Sequence, residues 1–168
     1  SYTSLQGTRE TNEDCHNIIL NFKPSINMYA IYDGHGGIHV SKALSKLIPD
    51  KFKSLKQLPT SVELHKMYDE VQKELEAKVP NIKDCGSTAL VVFERCDINA
   101  PKSFVIINLG DCRAIVCRKN KPVALTIDHR PMWPDEKKRI EALGGKIIMD
   151  YNDWRIMGYS VSRSFGDV

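Results

Sequence analysis

The chain has no apolar run approaching the ~20 residues a membrane span needs, so nothing in it reads as a transmembrane helix. It has no Cys-x-x-Cys pair. Its five cysteines (Cys15, Cys85, Cys96, Cys112 and Cys117) are odd in number and scattered, which argues against a zinc site or a disulfide framework. Reduced thiols in the cytosol or nucleus are the plain reading. An excess of one charge is missing too: 24 Lys+Arg against 21 Asp+Glu leave +3, too little to argue for nucleic acid as a partner. No internal repeat or low-complexity segment is visible. What remains is 168 residues, 42% hydrophobic and 27% charged, ordinary material for one globular domain. The first residue is Ser1 rather than Met, which leaves an upstream targeting segment or lipidation site open. The oligomeric state is open as well.

The other segments are organised around Tyr29-Ala30-Ile31-Tyr32-Asp33-Gly34-His35-Gly36-Gly37. The apolar run over 28–32 predicts a buried strand. It stops at an acid, then at glycines flanking a histidine, and Val40, Ala43, Leu44, Leu47 and Ile48 then recur at helical spacing. Glycines let backbone carbonyls approach an ion closely, and a hard cation such as Mg²⁺ or Mn²⁺ takes oxygen ligands of this kind. A strand-to-helix turn with an N-cap acid accounts for the same pattern, and at this point both readings stand.

Taken in order, residues 1–6 read as an opening strand that ends at Gly7. Thr8 to Asp14 is a polar loop in which Arg9 precedes Glu13 and Asp14. It is either a mixed-charge surface loop or an anion-binding arginine beside cation ligands. A strand over 15–22, a turn at Lys23-Pro24-Ser25 and the central strand follow. A helix over 37–48 is interrupted by Pro49. A second, over 61–79, places Leu64, Met67, Tyr68, Val71 and Leu75 on one face, with Ser61 as N-cap and Pro80 as stop; His65 falls beside that stripe rather than in a site. From Cys85 the texture turns to β-formers: strands over 86–93 and 103–109 joined by 97–102, then a hairpin of 113–118 with 122–126 across Lys119-Asn120. Pro134-Asp135-Glu136 opens a helix carrying Ile140 and Leu143, closed by Gly144-Gly145. A strand over 146–149 leads to an irregular loop over 150–155. This order predicts an α+β domain with two hairpin-linked sheets and helices outside.

Asp33, Asp111 and Asp167 each stand beside a glycine at a strand end, and Glu13-Asp14 closes the loop before a strand. Clustered carboxylates repel unless a cation neutralises them. Two Mg²⁺ or Mn²⁺ ions roughly 3.5–4 Å apart would do so and would activate a bridging water for in-line attack on phosphorus. Arg9 would then hold the phosphoryl oxygens through its planar fork.

On these residues the chain resembles the metal-dependent (type 2C) serine/threonine protein phosphatases. The matching blocks are Arg9 with Asn12-Glu13-Asp14, Tyr32-Asp33-Gly34-His35-Gly36-Gly37, Gly86-Ser87-Thr88-Ala89, Asn108-Leu109-Gly110-Asp111-Cys112-Arg113-Ala114, Leu125-Thr126-Ile127-Asp128-His129-Arg130-Pro131 and Val161-Ser162-Arg163-Ser164-Phe165-Gly166-Asp167. They come in family order and run from end to end of the chain. The resemblance implies an α-β-β-α sandwich of two antiparallel sheets flanked by helices, with a metal site in a cleft at one end of the sheets. By position it implies that Asp33 bridges two metals, Gly34 lends its carbonyl, Glu13 holds one metal directly or through water, and Asp14 joins through ordered water. It further implies that Asp167 ligates the other metal and that Asp111 matches a place linked to a third, weaker one. Arg9 would contact the phosphate of phosphoserine and phosphothreonine in protein substrates. His35 matches the general acid for the leaving alkoxide, a task suited to histidine, with the ordering of water as its alternative role. Thr88 would support the site, and Asp128, His129, Arg130 and Arg163 would be structural. Cys112 stands where the family often has Ser and reads as a small buried filler in preference to a redox group. Residues 150–158 match a variable region that would shape substrate choice. No cysteine sits in a phosphate-cradling loop of the kind a cysteine phosphatase needs.

The family pattern continues beyond the Phe-Gly-Asp block with a further strand, a helix and late Asp-Gly and Asp-Asn segments, the last of which supplies another metal ligand. The expectation for 1–168 is therefore a partial catalytic domain, missing its C-terminal elements, with incomplete coordination at one metal and weak or no turnover alone. The metal at Glu13, Asp33 and Gly34 would be kept better than the one relying on Asp167. A pseudophosphatase-like module that binds a partner without turnover is the alternative.

Overall fold

The architecture grows from one hairpin. The structure, a computed structural model, describes residues 2–55 and 57–168. In it β1 (Cys15–Lys23) and β2 (Ile26–Tyr32) pair antiparallel, with Cys15 opposite Tyr32 and Ile19 opposite Met28. Between Ile19 and Lys23 the register shifts; Asn21 takes a φ of +52° there and donates its N–H to Asn27 Oδ1 at 2.9 Å, as in a β-bulge. β5 (Ala89–Arg95) pairs with β2, and β6 (Ser103–Leu109) with β5, completing an antiparallel sheet in the order β1-β2-β5-β6. A small second sheet has β4 (Gly86–Ser87) between β3 (Gly34–His35) and β11 (Phe165–Gly166). Two hairpins stand apart: β7 (Ile115–Arg118) with β8 (Lys121–Ala124), and β9 (Ile147–Asp150) with β10 (Asp153–Ile156).

Side-chain alternation along a strand decides where the core sits. Met28, Ala30 and Tyr32 of β2 and Ala89, Val91 and Phe93 of β5 point to one face and are buried. Over that face lie α1 (His39–Ser54), contributing Val40, Leu44, Ile48 and Phe52, and α2 (Ser61–Lys78), contributing Met67, Val71 and Leu75. Phe93 meets Phe52 edge-on at a ring separation of 4.9 Å and Phe22 at 5.8 Å. Each large side chain so buried stabilises the fold by about 1.5–3 kcal/mol. The opposite face leaves Ile18, Leu20, Ile31 and Phe104 exposed, and no second broad sheet covers it among the described residues. α3 (Pro134–Ala142) starts with the expected proline and buries Glu136 and Ile140. No described helix is long and apolar enough to cross a membrane.

The elements are the expected mixture of antiparallel sheets and helices, with five local corrections. Residues 2–6 carry no strand (Ser1 lies outside the described residues); Gln6 instead donates to the carbonyls of Arg9 and Glu10 at 2.8 and 2.9 Å, tying the segment into a turn. α1 does not stop at Pro49 but continues to Ser54. A proline removes the N–H owed to the carbonyl four residues back, and that carbonyl, of Ser45, accepts from Asn17 Nδ2 at 3.0 Å instead. The N-cap of α2 is Thr60 rather than Ser61, because Thr60 and Glu63 close a capping box. Leu143 is the exposed C-cap of α3 and not part of its apolar face. The expected irregular loop over 150–155 is half of a hairpin, turned by Tyr151 and Asn152 at φ +48° and +62°.

In urea denaturation Phe93→Ala should lose about 3–5 kcal/mol, and Thr60→Ala about 1 kcal/mol. Asn17→Ala should lose about 1–3 kcal/mol, and less in a Pro49→Ala background, where a restored N–H serves the Ser45 carbonyl.

Candidate active site

A cleft of about 770 Å³ opens at the end of β2, and Arg9, Glu13, Asp14, Asp33, Gly34, His35, Thr88 and Asp111 line it. Asp33 follows β2 directly, and its backbone is held from both sides. Its N–H donates to Thr88 Oγ1 at 3.1 Å, and the Thr88 N–H donates to its carbonyl at 3.0 Å. Gly34 must lack a side chain, since a Cβ there would run into the Glu13 carbonyl and lie 2.9 Å from Ser41 Oγ. That hydroxyl, on the first turn of α1, donates to the same Glu13 carbonyl at 2.5 Å. The acidic loop is thus seated on the helix layer. Thr11 Oγ1 donates to the Glu13 carboxylate at 3.2 Å.

Asp111 comes from the far edge of the large sheet, just past β6. Its backbone neighbour Gly110 is clamped by His129: the Gly110 N–H donates to His129 Nδ1 at 3.0 Å, and the His129 N–H donates back to the Gly110 carbonyl at 2.9 Å. Arg130 reaches Asp111 at 3.3 Å and Asp128 at 3.7 Å. Asp128 is itself buried against Arg113, whose guanidinium bonds hold its carboxyl below the usual range. Cys112 Sγ lies 3.1 Å from Thr88 Oγ1, and burial pushes its thiol up to about 11, which keeps it protonated at neutral pH.

Burial in the cleft, which strips water from the charged form, pushes the Asp33 carboxyl above its ordinary range. The Asp14 and Asp111 carboxylates push the same way, while His35 and Arg9 pull partly back. Three acids from distant segments therefore act on one another across a single cleft. Asp167 is placed differently. It is not among the cleft's lining residues; its carboxylate lies 2.8 Å from His35 Nε2 and also accepts from Ser164 Oγ. Among the described residues no three His, Cys, Asp or Glu side chains converge as a ready-made ligand set. The donor chemistry still fits a hard divalent cation: the cleft offers carboxylate oxygens, and the Asp33 carboxyl is held up by burial first and by its like-charged neighbours second.

Two features were not anticipated. Arg155 and Tyr159 also line the cleft. The alternation of Trp154 and Ile156 with Asp153 and Arg155 was the available sign of the strand that carries Arg155. Glu136, read only as part of a helix start, is a buried hub that accepts from Arg139 at 2.7 Å, Ser162 Oγ at 2.7 Å and Arg163 Nε at 3.0 Å. Only Arg139, three residues on, is a local partner; Ser162 and Arg163 lie 26 and 27 residues away, so no sequence signal marked the hub. His65 sits exposed on α2, away from the cleft.

A model of the family described as "Protein phosphatase 2C" matches residues 1–168. The chain belongs to the protein phosphatase 2C family. Probable protein phosphatase 2C 76 of Arabidopsis thaliana is 34% identical over 175 residues, covering 99% of this chain and 40% of that relative. Probable protein phosphatase 2C 14 of the same plant is 33% identical, covering 98% and 37%. The chain thus spans less than half the length of these curated relatives. Among solved structures, a phosphatase from Toxoplasma gondii superposes with a TM-score of 0.78 at 23% identity, covering 96% of this chain and 62% of that one. A C. elegans sex determining protein superposes with a TM-score of 0.75 at 23% identity, covering 98% and 43%. At that identity the superpositions establish the protein phosphatase 2C fold and nothing finer.

Burial acts to raise the Glu136 carboxyl, but the bonds from Arg163, Arg139 and Ser162 together outweigh it and hold the group at about 2, against an ordinary 4.5. A depressed folded-state value adds stability that is present above the unfolded value and lost as pH falls through the folded one. Glu136→Gln should therefore cost about 3 kcal/mol at pH 7. Urea midpoints of variant and wild type should converge as pH falls from about 4.5 towards about 2.

Proposed function

We propose that the protein hydrolyses phosphoserine and phosphothreonine esters in other proteins, with Mg²⁺ or Mn²⁺ held by Glu13, Asp14, Asp33, Asp111 and the Gly34 carbonyl. The observation that carries this reading is the convergence of Glu13, Asp14, Asp33 and Asp111, from segments far apart in the chain, on one cleft that Arg9 also lines. When bound, the cations (two, with a third held more weakly) supply positive charge at the phosphoryl group and an activated water. This chain's own residues supply the rest. Arg9 presents a planar guanidinium that can engage two phosphoryl oxygens at once. His35, on the cleft wall, hands a proton to the departing serine or threonine oxygen. Thr88 keeps Asp33 where it is. Membership of the protein phosphatase 2C family supports the assignment. Five free cysteines with no disulfide suit a reducing compartment such as the cytosol or nucleus.

Phosphate release from a phosphothreonine peptide, measured on the intact protein with Mn²⁺ and with chelator, should depend on the metal and vanish in Asp33→Ala. Arg9→Ala should lower kcat/KM about 10- to 100-fold, the worth of charge-assisted hydrogen bonds of about 1.5–3 kcal/mol. No stimulation by metal would rule the reading out. Partner binding that survives Asp33→Ala in a protein without turnover would support the non-catalytic module instead.

Asp33 gives a second test, on stability. Its folded-state pKa is raised, so the ionised carboxylate weakens the fold once pH has risen through that value. In chelator at pH 7–8, Asp33→Asn should melt at a higher temperature than wild type. Added Mn²⁺ should raise the Tm of wild type and leave that of Asp33→Asn nearly unmoved.

A further inference from the structure

His35 ends β3, and Asp167 follows β11 at a separation of 132 residues. β3 and β11 are the outer strands of the small sheet, and both pair with β4. Gly34 and Phe165 stand opposite Ser87, and His35 and Gly166 stand opposite Gly86. Side chains from two outer strands can meet only over the middle strand, and the residue there is a glycine. A Cβ on Gly86 would collide with both Asp167 Oδ2 and His35 Nε2. Gly86 is not among the residues at positive φ, so its backbone does not demand glycine; the space above it does.

The two Asp167 oxygens lie 2.8 and 3.0 Å from His35 Nε2. An ionised carboxylate only accepts, so Nε2 carries the hydrogen. Nδ1 is left as the ring nitrogen without a hydrogen-bond partner among the described residues. Asp167 is itself fixed: Ser164 Oγ donates to it, its N–H donates to the Ile82 carbonyl at 3.0 Å, and its side chain is 11% exposed against 25% for His35. The Tyr159 ring lies against the imidazole at a centroid separation of 5.0 Å. The histidine is held at one edge and over one face, and the remainder of the ring borders the cleft.

We propose that Asp167 is a positioning residue that holds His35 in one orientation by accepting from Nε2–H, so that the protonated ring gives up its Nδ1 proton to the leaving oxygen and is left neutral with its remaining hydrogen on Nε2, and that Asp167 is not a cation ligand. The inference rests on the phosphatase reading above. Its physical content is that a proton donor contributes only when already aimed, and a ring freed from Asp167 can turn about its side-chain bonds.

The test compares two substrates on the intact protein. A phosphothreonine peptide leaves as an alkoxide that needs a proton, whereas p-nitrophenyl phosphate leaves as a stable anion. In Asp167→Ala and in Gly86→Ala, kcat on the peptide should fall by about 10²-fold and kcat on the aryl ester by about threefold or less. KM should hold nearly constant. Asp167→Asn, which keeps an acceptor for Nε2–H, should lose less than Asp167→Ala. Mn²⁺ affinity by titration calorimetry should be unchanged in all three. Equal losses on both substrates, or Mn²⁺ binding weakened about tenfold in Asp167→Ala with Gly86→Ala unaffected, would overturn the inference and make Asp167 a ligand. A wild type that hydrolyses neither substrate would overturn the phosphatase reading and this inference with it, whereas an active wild type with equal losses would overturn the inference alone.

Discussion

Carboxylates brought together at one end of a sheet repel each other, and the structure depends on a frame stiff enough to hold them there. Two unit charges a few ångströms apart near a protein surface oppose each other by a few kcal/mol. One or two large buried side chains offset that, at about 1.5–3 kcal/mol each, and the layer beneath Asp33 has many: Met28, Tyr32, Phe93, Val91, Leu44, Ile48 and Phe52 are all buried in one cluster. Asp33 follows β2, an interior strand paired with β1 on one side and β5 on the other. It cannot swing away without breaking ladders on both sides. Thr88 removes what local freedom is left.

The acids divide by what neutralises them. Asp128 and Glu136 are buried and bound by arginines, which hold both carboxyls below the usual range. Such pairs leave no charge to offer a ligand. Asp33 has no such partner, and Arg9 and His35 only moderate the repulsion it feels. Arg130 stands between the two classes, shared by buried Asp128 and by Asp111 at the cleft. The fold thus satisfies Asp128 and Glu136 internally and leaves Asp33, Asp14 and Asp111 facing one open cleft. That is where a perturbed carboxyl points to function.

Most of the large sheet was legible in the chain because its strands are short apolar runs rich in β-formers and bounded by turn residues. The strand over 103–109 was expected with the bounds it has, and Lys119-Asn120 turn their hairpin at φ +50° and +58°. The acid-bearing loops were legible for another reason: Asp33 and Asp111 sit where an apolar run gives way to glycine. What escaped was set by contacts distant in sequence. Pro49 reads as a stop until Asn17, from another element, serves the carbonyl it abandons. Thr60 over Ser61 as the cap is the local exception, a Thr-x-x-Glu capping box with Glu63 three residues on that the sequence did carry. Glu136 looks like any first-turn acid until Ser162 and Arg163 fold onto it. Asp167 shares the Gly-Asp signature of the other acids, yet a three-stranded sheet turns its carboxylate towards a histidine.

The helix layer also sets how far apart the two halves of the chemistry stand. α1 holds the acidic loop through Ser41, which bonds the Glu13 carbonyl. α2 holds the opposite side: Gln72 accepts from the Gly166 N–H at 3.0 Å, and Tyr68 packs on buried Phe165 with ring centroids 4.9 Å apart. The strand that presents Asp167, and with it the edge of His35, is therefore referenced to α2, while the oxygen-rich side is referenced to α1. Both helices rest on the same buried face of β2 and β5. A shift of one helix over the other would change the separation between the acid-bearing loop and the His35 side of the cleft, and interiors packed at crystal density resist such shifts. Phe52, Leu44 and Leu75 touch nothing in the cleft, yet on this geometry they fix the distance across which a phosphoryl group would have to fit.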